Sequence, residues 1–431
     1  MRWRWTSPRP AKSKTTPGVR ARRVARALLA ACPVLAPGSG AQPAFGQAPC
    51  HYDVTVLPNH SCGIFSSPAN PVAINNLGHV LLGGANCGNP VYDESFLWTG
   101  GPTLTPIPRP SYMLGFAAQD LNDDDIVVGT AVTTYAGQRA FIYDSHSGVW
   151  TELPPLNPPT GWSGALAISN NNVVCGFRSI GSPGDPVNPR TAFIWSAAQG
   201  FHDLGIVNGY STTAGRINIH GMCSGEMALG KIIVPFLWDG VHLVQVPSIA
   251  GFETHPGGLN DWNSLAGYAL TGASPINTRA FLWRNGLQTE LLPLRGFGRA
   301  AAGNVSDGNV VVGTSAMIGS DTAVATVWIN AIPHALPDLV QGAQVDLGSA
   351  GHMSANGRIL ALGSVNGTAA NMILTPRAPV GDVNGNCLVD VNDLLGVIIE
   401  WGQSVSPADL NHDHVVNALD LIMVIDHWGS T

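Results

Sequence analysis

The sequence predicts an all-β ring of repeated units followed by a small helical appendage. Three observations carry this. One phrase recurs seven times, at intervals of 42 to 49 residues. Glycine and proline make up 51 and 32 of the 431 residues, which disfavours long helices. The final fifty residues change style, to two Asp/Asn-rich loops that each run into an apolar stretch of helical period. At 45% apolar and 11% charged the chain is too hydrophobic for disorder, and its length allows two or three domains. No stretch of about 18 apolar residues exists, so no membrane-spanning helix is expected.

The recurring phrase is an apolar anchor, a cluster of Asn, Asp, Gly or Ser, then a β-branched run. Its anchors are Ile74, Leu121, Ile168, Ile217, Leu259, Val305 and Met353. In five units a glycine follows the anchor by eight residues: Gly129, Gly176, Gly225, Gly267 and Gly313. A second phrase comes about twenty residues after the anchor: Phe96-Leu97-Trp98, Phe141-Ile142-Tyr143, Phe193-Ile194-Trp195, Phe236-Leu237-Trp238, Phe281-Leu282-Trp283, Val327-Trp328-Ile329 and a reduced Met372-Ile373-Leu374. A third, Leu104 to Pro108 and its counterparts, often follows. Each phrase is short, β-branched or aromatic, and bounded by turn residues, as strands are. The Asn/Asp/Gly clusters supply left-handed turn positions.

A unit of about 46 residues holds three or four strands and cannot bury its own faces. Stacked radially, seven such units make a seven-bladed β-propeller. The seventh unit lacks its third phrase, whereas residues 53–58, ahead of the first unit, supply one. This N-terminal strand is therefore expected to complete the last blade and leave no open edge. An open solenoid is the competing architecture. The units resemble the HAF family of extracellular repeats, through Ala73-Ile74-Asn75-Asn76 with Phe96-Leu97-Trp98 and through Ala280-Phe281-Leu282-Trp283. That resemblance covers roughly residues 60–378. It implies a secreted, propeller-like array and brings no established chemistry.

Within the ring, one aromatic per unit at a fixed place reads as core between units rather than as a carbohydrate platform. Asp123-Asp124-Asp125 reads as a solvated turn. No HExxH or GxSxG is present. Residues 225–231 match seven P-loop positions, but Ile232 stands where Ser or Thr is needed and no helix pattern follows. The acids Asp120, Glu152, Asp203, Glu253 and Asp346 are spread across units and form no evident pair of the kind glycoside hydrolysis needs.

Nine Lys/Arg and no acid fall in residues 1–50; the rest carries 12 basic and 28 acidic residues, a net of −16. A body this acidic is expected to repel nucleic acid. The basic start, the short apolar run Ala27 to Ala36 and the small residues after it have the layout of an export signal over residues 1–48. A lipoprotein box at Leu29-Ala30-Ala31-Cys32 is the minor alternative. Secretion to the exterior or the cell surface is expected. It would permit disulfides among Cys50, Cys62, Cys87, Cys175, Cys223 and Cys387, in pairings the sequence leaves open.

Residues 382–402 and 409–429 are two copies of one unit, offset by 27 and identical at nine positions. Oxygen-bearing side chains occupy loop positions 1, 3, 5, 9 and 12: Asp382, Asn384, Asn386, Asp390 and Asp393, then Asp409, Asn411, Asp413, Asn417 and Asp420. Leu388 and Val415, at position 7, would add backbone carbonyls. This is the EF-hand-type spacing that wraps one hard cation per loop, so two calcium ions are expected. A helix follows each loop, with Leu394, Leu395, Val397, Ile398 and Trp401, and their counterparts Leu421, Ile422, Val424, Ile425 and Trp428, read as one apolar face. Two loop–helix units ending in Trp-Gly resemble a type I dockerin domain over residues 379–431. That resemblance implies calcium-dependent docking to a cohesin-like partner, with the pairs Val391-Asn392 and Ala418-Leu419 helping to choose it. Cys387 and His414 stand where the family has glycine, which implies weaker calcium affinity.

The expected protein is secreted and non-catalytic, with a ring over residues 50–378 that presents a surface to a polysaccharide or cell-surface ligand. The alternatives are a polysaccharide-degrading component, an O-glycosyl hydrolase, and a structural surface protein.

Overall fold

A computed structural model describes residues 51–430, apart from 63–64, 68, 84–93, 135–136, 154–160, 180–188, 206–208, 230–231, 250–251, 272–276, 341–343, 378, 385–387, 404–405, 412 and 414. Residues 1–48, read above as an export signal, and Cys50, Cys87, Asn386, Cys387 and His414 lie outside the described residues. Seven four-stranded antiparallel sheets succeed one another along the chain as the blades of a β-propeller. The first strands of the seven blades are Asn70–Ile74, Met113–Leu121, Ser163–Ile168, Ser211–Ile217, Glu253–Leu259, Arg299–Val305 and Val345–Met353. They line the central channel. Residues 225–229 of the partial P-loop match belong to a strand, Cys223–Leu229, that pairs with Ile232–Trp238.

Closure is as the unit count requires. Tyr52–Val56 forms the outer strand of blade 7, with Tyr52 opposite Pro376 and Val56 opposite Met372. Seven buried apolar clusters fill the seven joints between blades, including the joint between blades 7 and 1, where Leu360 and Ile373 meet Ile74, Val80 and Trp98. The tryptophans of the aromatic phrase pack into the joints, Trp98, Trp238 and Trp328 buried and Trp195 and Trp283 half-buried, and the phenylalanines lie deeper. Phe141, Phe193, Phe236 and Phe281 are all 0% exposed. One phrase is displaced from its sequence reading. In blade 6, Gly313 pairs with Thr326 and Val311 with Trp328. The equivalent triple is thus Thr326-Val327-Trp328, which puts Trp328 in the column of Trp98 and Trp238.

Backbone geometry explains two columns of the repeat. Four residues after each anchor the chain takes positive φ, at Gly78, Asp125, Asn172, Gly221, Asn263, Asn309 and Gly357. Only Gly, Asn and Asp adopt this conformation at low cost, and only they occur there. The register of every first strand also shifts just before the anchor, for example between Ala118 and Asp120 and between Ala214 and Arg216. The recurrent glycine sits opposite this bulge. A Cβ at Gly129, Gly225 or Gly267 would overlap the carbonyl oxygen of Ala117, Thr213 or His255, and the neighbouring phenylalanine ring. Glycine therefore admits the bulge, and the bulge turns the next residue towards the channel.

The turn residues also join the blades. The Asn75 amide donates to the Asn122 carbonyl (3.0 Å), Asn122 to Ser169 (3.3 Å), Asn218 to Asn260 (3.1 Å) and Asn260 to Ser306 (2.8 Å). A parallel set runs from backbone N–H groups to side chains of the next blade: Asn76 to Asp123, Asp123 to Asn170, Ile219 to Asp261 and Asp261 to Asp307. Between blades 3 and 4 the Asn171 amide donates to the Ile219 carbonyl, and between blades 6 and 7 Asn304 donates to Met353. Asn356 closes the circle on Asn76. Asp123-Asp124-Asp125 is therefore more than a solvated turn. Asp123 clasps both neighbouring blades, and Asp125 is buried, accepting from Asn75 and bonded to the His79 ring at 2.8 Å.

Beyond Pro376 the chain forms two helices, α1 (Val391–Ile399) and α2 (Ala418–Asp426). Their shared core is Val389, Val397, Ala408, Val416 and Val424, with Leu394 and Leu421 against it. The two units exchange ends. Gly429 donates to Val389, which donates to Ser430; Gly402 donates to Val416, which donates to Gln403. Among the described residues no helix is long and apolar enough to cross a membrane.

Candidate functional site: the channel mouth and the paired loops

The residues just before the seven anchors are Ala73, Asp120, Ala167, Arg216, Gly258, Asn304 and His352. Ala73, Asp120, Arg216, Asn304 and His352 line a cavity of about 160 Å³ at the turn end of the channel. Ala73 is small, and Gly258 gives way to the Asn304 side chain; charge and hydrogen-bonding groups face the cavity from blades 2, 4, 6 and 7.

Asp120 accepts from the Ile168 N–H at 3.0 Å. Burial pushes its carboxyl up to about 6, against the downward pull of that bond and of the Arg216 guanidinium. Burial, assisted by the positive Arg216, drops the His352 imidazole to about 4, so it is neutral at ordinary pH. Arg216 donates to the Gly215 carbonyl at 2.7 Å. Asn304 is occupied structurally, donating to Met353 and accepting from Val305. Nearby, Cys175 and Cys223 are free thiols, buried in the joint between blades 3 and 4. Burial raises both, Cys223 to about 12, which makes them unreactive.

The channel column escaped the sequence reading, apart from Asp120 as one of several scattered acids. Its signal is legible once the seven anchors are aligned: a column of small residues broken by Asp, Arg, Asn and His. The other acids do not join Asp120. Glu152 lies on the outer strand of blade 2, and Asp203, on the outer strand of blade 3, pairs with Arg178. Glu253 flanks His255 in blade 5 at 3.3 Å, and Asp346 lies on the first strand of blade 7.

In the C-terminal loops, position 9 and position 12 reciprocally cap each helix. Asp390 and Asn417 are the N-caps, and Asp393 and Asp420 answer from the first turn. Asp393 accepts from the N–H groups of Val383, Asn384 and Asp390; Asp420 accepts from Leu410, Asn411 and Asn417. In the second loop the Asp413 N–H reaches both Asp409 (3.1 Å) and Asn411 (2.9 Å), while the Asn417 amide reaches the Val415 carbonyl at 2.8 Å. Positions 1, 3, 5, 7 and 9 of this loop are thus tied together by hydrogen bonds, although among the described residues no three acidic, histidine or cysteine side chains converge as a metal-holding group. In the first loop Asp382, Asn384, Leu388 and Asp390 hold the same positions in sequence.

The donor set suits a hard cation. It is all oxygen, and Asp393 and Asp420 are 0% exposed. Burial raises Asp393 above the ordinary carboxylate range despite three backbone donors. Residues 379–431 hold eight acids and no Lys or Arg, so the segment supplies no cationic side chain to balance these buried carboxylates.

Each helix also differs from its sequence reading in having two apolar faces. Leu394 and Val397 turn inward, as do Leu421 and Val424. Leu395, Ile398 and Trp401, and Ile422, Ile425 and Trp428, turn outward and are 46 to 54% exposed.

The ring defines this chain as a closed seven-bladed β-propeller protein. No protein-family model matches the chain, and no curated protein matches it. Among solved structures it is similar to the β-propeller domain of the Trilobed protease from Pyrococcus furiosus, at 10% identity and a TM-score of 0.46 over 72% of this chain and 93% of that one. It is similar also to a virginiamycin B lyase from Staphylococcus aureus, at 12% identity and 0.43 over 75% and 99%. A Mycobacterium tuberculosis puromycin-hydrolyzing peptidase matches at 12% and 0.48 over 75% of this chain; the chain spans about half of that enzyme, 55%. At such identities the likeness concerns fold alone.

Proposed function

We propose that this is a secreted, non-catalytic binding protein. Its propeller presents an interaction surface, and its C-terminal loop–helix pair, loaded with two calcium ions, docks to a cohesin-like partner. The observation that carries this reading is the outward apolar face of α1 and α2, rooted on helices whose first turns hold buried carboxylates. Soluble proteins rarely expose so much contiguous apolar side chain unless something covers it. Calcium, bound by Asp382, Asn384, Asn386, Asp390 and Asp393, the second set from Asp409 to Asp420, and the carbonyls of Leu388 and Val415, would neutralise the loops and fix the helices that carry that face.

The experiment is capture of a cohesin-like domain by the full-length protein. Retention in calcium that is lost in chelator, and lost in an Ile398→Glu, Ile425→Glu double variant, is the expected result. Capture indifferent to both refutes the reading. Reducing-sugar release from a polysaccharide panel by the purified protein would move it to the hydrolase class.

A further inference from the structure

We propose that the turn end of the propeller channel is a binding site for a small carboxylate ligand, taken up by the Arg216 guanidinium with His352 beside it. This stands apart from the docking reading and uses none of its residues.

Arginine is the first reason. Its planar fork matches a carboxylate with two parallel hydrogen bonds, and the proteins that bury it give it a partner. Here Arg178 pairs with Asp203, and the more exposed Arg279 and Arg377 with Glu290 and Asp53, while Arg190 lies over the Phe177 ring and Arg299 donates to the Ser320 carbonyl away from the channel. Arg216 has no such partner: among the described residues no carboxylate lies within 4.0 Å of it, and its one hydrogen bond is to the carbonyl of its own strand neighbour. It nevertheless points into the channel cavity, placed there by the bulge between Ala214 and Arg216.

The surroundings are the second reason. His352 lines the same cavity from blade 7, and its ring makes no hydrogen bond among the described residues. As a neutral imidazole it can donate to a ligand oxygen. Size limits the ligand, since a cavity of about 160 Å³ suits a small acid and excludes a folded chain.

Asp120 makes the site acid-dependent. The groups facing it are Arg216 from blade 4, the Cys175 thiol and the Ile168 N–H from blade 3, with His352 beyond Arg216. Above about pH 6 its carboxylate offsets the Arg216 charge across the cavity; below, it is protonated and that offset is gone, while Asp123 and Asp261, which also line the cavity, accept from the turns of neighbouring blades. The thiol stays protonated throughout, since burial raises it well above its ordinary value. The imidazole stays neutral down to about pH 4. Carboxylate affinity should therefore rise as pH falls from about 8 to about 5.

The test is calorimetric titration of the full-length protein with acetate, lactate and glucuronate at about pH 5 and about pH 8. Saturable binding of at least one at the lower pH, about tenfold weaker at the higher, is expected. Arg216→Met should abolish it, Arg216→Lys should weaken it, and Asp120→Asn should remove the pH dependence while keeping binding. Melting curves show whether each variant still folds; if Arg216→Met does not, Arg216→Lys and Asp120→Asn decide. No saturable binding of any of the three, binding unaltered by the Arg216 changes, or equal affinity for sulfate would overturn the proposal.

Discussion

The ring and the C-terminal pair solve the problem of burial in opposite ways. Each blade of the ring is joined to the next by an apolar cluster and by short hydrogen bonds from the turn residues, so a neighbouring blade satisfies what one blade leaves open. The C-terminal pair has two helices, a core of five fully buried residues, and three buried carboxylates, Asp393, Asp409 and Asp420, with no Lys or Arg in its segment. A repeat array draws its stability from sideways contacts. A module of about fifty residues needs an external staple. The same Asn/Asp-rich composition thus serves two ends: amides clasp blades in the ring, and carboxylates and amides cap the helices in the loops, where the proposed function would add a cation.

Removing divalent metal should separate the two regions most sharply. Chelation of the full-length protein should abolish amide protection at Val397 and Val424, by on the order of 100-fold or more, while Val127 and Val312 in the ring keep theirs. Asp409→Ala and Asp382→Ala should each remove one calcium from a calorimetric titration. If the helices stay protected in chelator, the staple is not metal.

Deleting residues 52–56 should break the ring instead. Blade 7 then presents an open edge along Thr368–Pro376, and the melting temperature of the ring should fall by about 10 °C or more, with the helices of the metal-loaded pair unaffected. An unchanged melting curve would mean that the circle holds without its closing strand.

A single clasp should cost less. Asn260 donates to the Ser306 carbonyl of the next blade and accepts from the Trp262 and Ser264 N–H groups of its own turn. Asn260→Ala should destabilise by about 2–3 kcal/mol in denaturant titration, because buried backbone groups lose their partners.

The smallest effect should be a gain. Burial first, then the neighbouring Asp261, raises Asp307 to about 7. Its folded value exceeds the ordinary one, so the folded state favours the neutral form; the penalty for ionising it grows as pH rises and is complete above about pH 7. Asp307→Asn keeps the acceptor for the Asp261 N–H and removes the charge. It should stabilise the ring by about 1 kcal/mol at about pH 8 and by almost nothing at about pH 4, read from paired melts. Equal gains at both would show that the charge is irrelevant.

Much of the ring is written in the chain because its causes are local. Positive φ four residues past the anchor demands Gly, Asn or Asp wherever it occurs, and closure follows from a missing phrase at one end and a spare one at the other. The clasps are not local. The Asn75 amide and the Asn122 carbonyl are 47 residues apart, so the role of that asparagine is visible only once neighbouring turns stand side by side. Asp123 was read as solvated for the same reason. The channel column is intermediate: its residues can be aligned from the anchors, but only the bulge shows that they face inward. In the helices, apolar residues at 3–4 spacing gave the element correctly, yet periodicity alone does not divide one wide stripe into an inner face and an outer one.

The strand Tyr52–Val56 is made early and used last. Val56 must wait for Met372, more than three hundred residues later in synthesis, before its ladder can form. Until then every earlier blade is part of an arc with two raw ends, prone to fray and open to proteases. The ring therefore carries its own test of completeness: a chain cut short anywhere before blade 7 leaves its first strand with nothing to join, and marks itself as unfinished.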